Sequence, residues 1–220
     1  MKIKVEVEEI EKLSKFEASS WAIWSKEFNQ KTALENYPDQ LYKFIVNRRY
    51  LLKKDVIFLG LNRSKNKERY INGIFTNFHV PGHPGDELLK EIISNLTRLS
   101  GGYMTDLSLQ IESNSSNVKN ISALDFTRLK RQLNILNTQN TFLICFGKDV
   151  YQELRNAFSI QSEISTKFLD LKAFVTDLEE RRVFVFKVIH YSYASRFNKI
   201  ERLRKQLHEI DNFIEKQPAS

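Results

Sequence analysis

The sequence predicts an α/β fold in which a parallel sheet is covered on both faces by helices. Four short apolar runs are typical of strands buried on both faces, and they lie at Val56–Leu59, Tyr103–Leu109, Thr141–Phe146 and Val183–Ile189. The segments between them carry apolar residues at helical spacing. Because parallel strands need long crossovers, usually helical ones, this order indicates a four-stranded parallel sheet.

The composition restricts the class of protein. The 220 residues carry 34 Lys+Arg and 27 Asp+Glu, and the net charge of 34 − 27 = +7 is compatible with a polyanionic partner. A hydrophobic content of 41% excludes a disordered chain, and a single cysteine excludes an internal disulfide and a thiolate zinc site. The apolar runs are too short to span a bilayer, and the charged amino terminus lacks a signal-peptide core. We therefore expect a soluble, cytoplasmic protein.

We expect one domain over residues 1–220, in which a helical segment over residues 1–50 packs on an α/β sandwich over residues 55–215. Residues 2–8 alternate charged and apolar side chains, which fits either an edge strand or a charged lead-in. Aromatic and aliphatic residues then recur at helical spacing, and Tyr37–Pro38 divides them into two predicted helices, because proline disrupts a helix interior.

Four more helices are predicted between and after the strands. One covers residues 86–99, with an apolar face and a stop at Gly101-Gly102. Ser122 is placed to cap a second helix, which carries three leucines on one face. A third begins after the turn at Gly147, and the last covers Asn198–Glu215.

Ligands of open α/β sheets bind outside the carboxyl ends of the parallel strands. This rule selects the four loops that follow Leu59, Met104, Phe146 and Ile189. Amide, carboxylate and imidazole groups, from which active sites are built, are all present in these loops, whose polar residues are Asn62, Arg63, Ser64, Thr105, Asp106, Lys148, Asp149, His190, Tyr191 and Ser192.

Other motifs argue against a metal or a nucleotide cofactor. His79 and His83 have an H-x3-H spacing, but a Pro-Gly pair between them breaks the helix that a zinc site would need. The stretch 75–85 is better interpreted as a rigid loop facing the site, with Phe78 as a stacking surface. Cys145 lies within a predicted strand and is expected to be buried and inert. Glycine-rich nucleotide fingerprints and G-x-S-x-G do not occur in the sequence.

A basic stretch follows the first strand and borders its loop. We predict that Arg63, Ser64, Lys65, Lys67 and Arg69 contact the phosphates of DNA, single-stranded or duplex, because their charge lies where the ligand is expected. The basic residues of the carboxyl-terminal helix are instead expected to form an ordinary solvated surface.

The order of these motifs resembles that of the uracil-DNA glycosylase superfamily, including its uncharacterised bacterial members, over roughly residues 55–195. Asp55–Ser64 is similar to the first-strand motif of that superfamily, G-x-N-P-G in some branches, and Tyr103–Leu107 to the strand that reads uracil through an asparagine. Phe142–Lys148 looks like the third strand with its glycine turn, and Val188–Ser192 looks like the H-P-S motif.

This resemblance implies a three-layer α/β/α sandwich around a four-stranded parallel sheet, and a cofactor-free site that takes an extruded base. By motif, Asn62 would position the attacking water and His190 would stabilise the departing base. Asp106 would read the base, Ser192 would contact a phosphate, and Gly60 and Leu61 would lie against the substrate. Spacing alone suggests Phe78 as the stacking ring.

Three departures from the family motifs bear on the substrate. Arg63 and Ser64 replace Pro and Gly of the first motif, and Tyr191 replaces the Pro of H-P-S. Asp106 stands where uracil-excising enzymes have asparagine, and an ionised aspartate can only accept hydrogen bonds. It therefore suits a base edge that presents donors, and it would repel O4 of uracil.

Three functions follow as hypotheses. The first is a glycosylase that hydrolyses the N-glycosidic bond of a base in DNA, with a base other than uracil as the expected substrate. The second is a nucleic-acid-binding module that retains the fold without the chemistry. The third is a hydrolase of a small nucleoside that uses the same pocket.

Overall fold

The computed structural model describes residues 4–24, 37–63, 75, 77–79, 82–112, 114, 117–118, 121–164 and 171–217. Within them the chain forms one mixed sheet of seven strands in the order β1-β3-β2-β4-β7-β6-β5. Those strands are β1 Ser20–Trp21, β2 Lys53–Gly60, β3 Gly102–Asp106, β4 Asn140–Phe146, β5 Ser162–Ile164, β6 Lys172–Leu178 and β7 Arg181–Val188.

The four strands predicted from apolar runs form the centre of this sheet. β3, β2, β4 and β7 are neighbours, and each adjacent pair is parallel. The expectation of a four-stranded sheet is nevertheless wrong in extent, because antiparallel strands extend it on both sides. β6 is buried over Ala173–Thr176, is exposed at Lys172 and Asp177, and turns directly into β7 through Glu179 and Glu180. The sequence did not predict β6 as a strand, because Lys172 and Asp177 limit its apolar run to a short segment.

Seven helices accompany the sheet in the described part of the chain. They are α1 Val7–Ser14, α2 Tyr37–Asn47, α3 Pro84–Ile93, α4 Ala123–Leu136, α5 Lys148–Ala157, α6 Tyr191–Arg196 and α7 Ile200–Glu215. Ser122 caps α4 as predicted, since its hydroxyl accepts from the Asp125 N–H at 3.3 Å. The helix predicted over residues 86–99 is shorter, because α3 ends before Ser94 and a series of turns leads to Gly101, whose φ is +87°.

The amino-terminal segment differs most from its prediction. Val7–Ser14 is helical, so the expectation of an edge strand over residues 2–8 fails where the structure describes them. Trp21, expected on a helix, lies in β1 and pairs with Tyr103 of β3. Tyr37 begins α2, which places the predicted break at the start of a helix. Residues 25–36 lie outside the described residues.

Two hydrophobic cores lie on opposite faces of the sheet. One contains Ile57 and Leu59 of β2 together with apolar residues of α1, α2, α4 and α5. The other contains Val56 and Phe58 of the same strand together with apolar residues of α3, α6 and α7. Alternate residues of a strand point to opposite faces, so β2 supplies both cores. This layering buries the parallel strands and leaves their carboxyl ends as the accessible edge. None of the helices in the described residues is long and apolar enough to cross a membrane.

Candidate functional site

The carboxyl ends of the parallel strands border a cavity of about 910 Å³. Gly60 at the end of β2 is in register with Asp106 at the end of β3, and Phe146 of β4 is in register with Val188 of β7. Shared register brings the following loops to one edge of the sheet. The sequence-predicted residues that line this cavity are Gly60, Leu61, Asn62, Arg63, Phe78, Asp106, His190 and Ser192.

Asp106 is held in the wall of the cavity by its neighbours. Its side chain is 3% exposed, and Oδ2 accepts a hydrogen bond from Asn77 Nδ2 at 2.9 Å. A Cβ atom at Gly60 would lie 2.1 Å from Asp106 Oδ1, so only glycine permits this approach of strand and carboxylate. The carboxylate therefore has a defined orientation between β2 and the Asn77 segment.

Asn62 ties the loop after β2 to a distant part of the chain. Its Nδ2 donates to the carbonyl of Arg63 at 2.9 Å and to the carbonyl of Glu112 at 2.7 Å. These two bonds use both amide hydrogens, whereas Oδ1 accepts none from the residues that the structure describes. An amide held in this way presents a fixed acceptor that can orient a water molecule.

His190 occupies the start of α6, where its ring has a defined tautomer. Nδ1 accepts from the Ser192 N–H at 3.2 Å, so in the neutral imidazole the proton resides on Nε2. The ring also stacks on Tyr191, with centroids 4.5 Å apart and planes inclined by 23°. The Nε2–H group is consequently a donor for developing negative charge.

Aromatic rings form one wall of the cavity. Phe78, only 2% exposed, lies 6.5 Å from Phe146 and 6.3 Å from Tyr191 between ring centroids. Its backbone has φ +65°, an uncommon conformation for a phenylalanine, and this turn directs the segment to the cavity. The aromatic surface expected from Phe78 is thus shared by three rings.

Tyr191 fills the centre of this wall. Burial raises the pKa of its phenol well above the ordinary value of 10.0, and the nearby carboxylates of Asp86 and Asp106 raise it further. The phenol therefore stays neutral at physiological pH. Ser192 lies beside the start of α3, where a Cβ at Gly85 would be 2.8 Å from its hydroxyl oxygen.

Arg63 faces the protein more than the solvent. Its guanidinium is 6% exposed, with NH2 3.1 Å from a Glu17 carboxylate oxygen and 3.4 Å from the carbonyl of Leu109. The Arg63 charge is thus paired with Glu17, while its buried Nε and NH1 atoms have no hydrogen-bond partner among the described residues. The other predicted phosphate ligands, Ser64, Lys65, Lys67 and Arg69, lie outside the described residues.

Basic residues other than the predicted phosphate ligands also line the cavity, and only Lys148 among them was selected from the sequence, as a polar residue at a strand end. They are Lys148, Lys187, Arg196 and Arg202, and they share the lining with the acidic residues Asp106, Glu112 and Asp149. Arg202 belongs to the carboxyl-terminal helix, whose charges we expected to be ordinary solvated surface; it is exposed, and it also lines the cavity.

Arg128 of α4 holds the strand end from behind the cavity. Its NH2 donates to the carbonyls of Asp106 at 2.8 Å and Leu107 at 2.7 Å. Burial lowers the pKa of this guanidinium, while the Asp106 charge opposes the shift. Nothing in the local sequence indicates this role of Arg128, because the contact joins residues that are 22 positions apart.

The two histidines of the H-x3-H motif have separate structural roles. His79 Nε2 donates to the carbonyl of Trp21 at 2.9 Å, and His83 caps α3 by accepting the Asp86 N–H at 3.4 Å. Among the described residues no group of three or more His, Cys, Asp or Glu side chains could hold a metal ion. Cys145 is buried, which raises the pKa of its thiol.

Two unpredicted residues could have been found from their position in sequence. Asn77 is adjacent to Phe78, and Arg196 lies within the loop and helix that follow His190. Both belong to segments already assigned to the site, so each was a candidate by proximity.

The sequence matches no protein-family model, and it has no significant match among curated proteins.

Proposed function

We propose that this protein is a DNA-base N-glycosylase of the uracil-DNA glycosylase type, acting on a base other than uracil. The observation that carries the proposal is that Asn62, Asp106 and His190, distant in sequence, line the same cavity at the carboxyl edge of a parallel sheet. The central parallel strands and the helices on both faces agree with the fold that the motif resemblance implies.

The chemistry requires stabilisation of a departing base and placement of a water. As the N-glycosidic bond breaks, the sugar acquires oxocarbenium character and the base leaves as an anion. The Nε2–H of His190 supplies a donor to that anion, because Nδ1 is occupied as an acceptor. Oδ1 of Asn62 accepts from the water that adds to the sugar carbon, and the water loses its second proton to solvent.

The choice of base follows from Asp106. Its fixed carboxylate offers acceptors only, and Oδ1 lies beside Gly60 at the strand end, in the wall of the cavity. A base edge with amino or imino hydrogens satisfies it, such as N1–H and the amino group of guanine. O4 of uracil would meet a buried negative charge, which is costly without a donor.

The charged lining favours a polynucleotide over a free nucleoside. Lys148 and Arg196 are both exposed and line the cavity. They can neutralise phosphates that flank an extruded base, whereas a nucleoside has none.

A non-catalytic nucleic-acid-binding module is the second candidate. It is favoured by one observation, the use of both Asn62 amide hydrogens to bridge the backbone at Arg63 and Glu112. These bonds alone account for an asparagine at this position. Catalysis is thus the point that experiment must decide.

The test is release of a base from labelled oligonucleotides, each carrying one candidate base, in single-stranded and duplex form. The wild type should release a base with amino or imino donors and little uracil. His190→Ala should slow release by about 10²- to 10⁴-fold, and Asp106→Asn should shift preference toward uracil by about 1–3 kcal/mol. His208→Ala and Asp177→Asn, exposed and remote from the cavity lining, are the matched controls.

Two results would redirect the proposal. Strong uracil release by the wild type would show that the interpretation of Asp106 is wrong. DNA binding without release of any base, in the wild type and in Asp106→Asn alike, would establish the non-catalytic module.

A further inference from the structure

Two large aromatic side chains are exposed beside the cavity. Tyr193 is 46% exposed and Phe197 is 53% exposed, and both line the cavity. Their ring centroids are 4.5 Å apart with an interplanar angle of 36°. We call this pair the aromatic platform. Exposure of two adjacent rings leaves apolar surface in water that a bound ligand could cover.

Positive charge accompanies the aromatic platform. The Lys199 ammonium lies 5.3 Å from the centroid of the Tyr193 ring, and Arg196, which is exposed, lies between the two rings in sequence and lines the same cavity. Exposed rings interleaved with cations match a ligand that has flat π faces and a negative backbone.

The platform is held in place by buried neighbours. Tyr191 and Ala194 anchor α6 in the core with 4% and 0% exposure. The Phe197 N–H donates to the Tyr193 carbonyl at 3.0 Å, and the Lys199 N–H donates to the Ala194 carbonyl at 2.9 Å. The two rings therefore present a preformed surface, which lowers the entropy lost on binding.

We propose that the aromatic platform stacks on unpaired bases of single-stranded nucleic acid, beside the nucleotide held in the cavity. This inference rests on the proposed function and assigns it a strand preference. In a duplex the base faces are covered by neighbouring bases, whereas a single strand leaves them available to aromatic rings. Stacking of this kind tolerates any sequence, since every base has a π face.

The experiment measures fluorescence anisotropy with a labelled oligothymidylate, an abasic oligonucleotide of equal length, and a duplex. Tyr193→Ala and Phe197→Ala should each weaken oligothymidylate binding by about 5- to 100-fold, and leave abasic binding almost unchanged. Tyr193→Phe should retain affinity. Tyr50→Ala is the matched control, because Tyr50 is 68% exposed and is not among the residues that line the cavity.

The salt dependence separates stacking from charge. The aromatic variants should keep the wild-type slope of affinity against salt, while Lys199→Gln should reduce that slope by about 0.7 for each phosphate that the protein no longer neutralises.

Equal binding of the abasic and base-containing strands, or tighter binding of the duplex, would contradict the proposed role of the aromatic platform. If the alanine variants bind the strand weakly but no protein releases a base, the platform stands and the glycosylase fails. If the alanine variants bind the strand as tightly as the wild type and still release a base, the glycosylase proposal stands and the platform proposal fails.

Discussion

At the residue scale, Gly60 sets the position of the Asp106 carboxylate. A methyl group there would meet Asp106 Oδ1 at 2.1 Å, so the carboxylate would have to rotate out of its hydrogen bond with Asn77. Gly60→Ala should therefore destabilise the fold by about 1–3 kcal/mol through overpacking and abolish discrimination among bases. Urea unfolding and the oligonucleotide assay measure the two effects.

A double variant identifies the cause of that destabilisation. Asp106→Ala removes the clashing oxygen, so Gly60→Ala should cost much less stability in the Asp106→Ala background than in the wild type. Additive costs would mean that the clash with the Asp106 carboxylate is not what destabilises the Gly60→Ala variant.

At the element scale, α4 supports the end of β3 through one side chain. Arg128 donates to two successive carbonyls, those of Asp106 and Leu107. Each hydrogen bond from a charged group contributes about 1.5–3 kcal/mol, so Arg128→Met should lower the free energy of unfolding by at least that amount. It should also slow base release by displacing Asp106.

Arg131→Met is the matched control, because Arg131 is exposed on the same helix. It should change stability by less than about 0.5 kcal/mol. Equal effects of the two substitutions in urea unfolding would show that Arg128 contributes through helix propensity or net charge. Arg128 would then have no role in positioning the strand end.

At the scale of the whole molecule, the two cores contain buried phenol and thiol groups that are protonated in the folded state. Burial raises the pKa of Tyr103 and of Tyr191 above 10.0, and that of Cys145 above 9.0. The folded state then binds more protons than the unfolded state once the pH exceeds these ordinary values. Their contribution is complete below about pH 9 and is lost as the pH rises toward the folded pKa values.

We therefore expect the free energy of unfolding to fall steeply above about pH 10. Each buried group contributes a slope of about 1.4 kcal/mol per pH unit. Tyr103→Phe and Tyr191→Phe should each make the fall shallower, whatever they do to stability at neutral pH. Urea unfolding across the alkaline range measures the slopes, and an unchanged slope in both core variants would contradict the assignment.

Several features of the fold and the site could be predicted from local sequence. The runs around Val56–Leu59 and Thr141–Phe146 had to be central strands, because continuous apolar segments of that length require burial on both faces. Ser122 predicted the start of α4, because its hydroxyl can accept a hydrogen bond from a backbone N–H of the first turn. The polar residues that follow such strands were identified because parallel strands share one carboxyl edge.

By itself, then, the sequence determined the central strands, most helices, and the polar groups at the strand ends, since each follows from the periodicity or chemistry of neighbouring residues. Only the tertiary structure decided how distant residues combine. It added the three antiparallel strands on either side of the parallel ones, paired Arg63 with Glu17, placed Arg128 against the Asp106 carbonyl, and brought Arg202 to the cavity. These contacts join residues far apart in the chain, so they cannot be predicted from the periodicity of neighbouring residues. Packing of both cores on one sheet creates them.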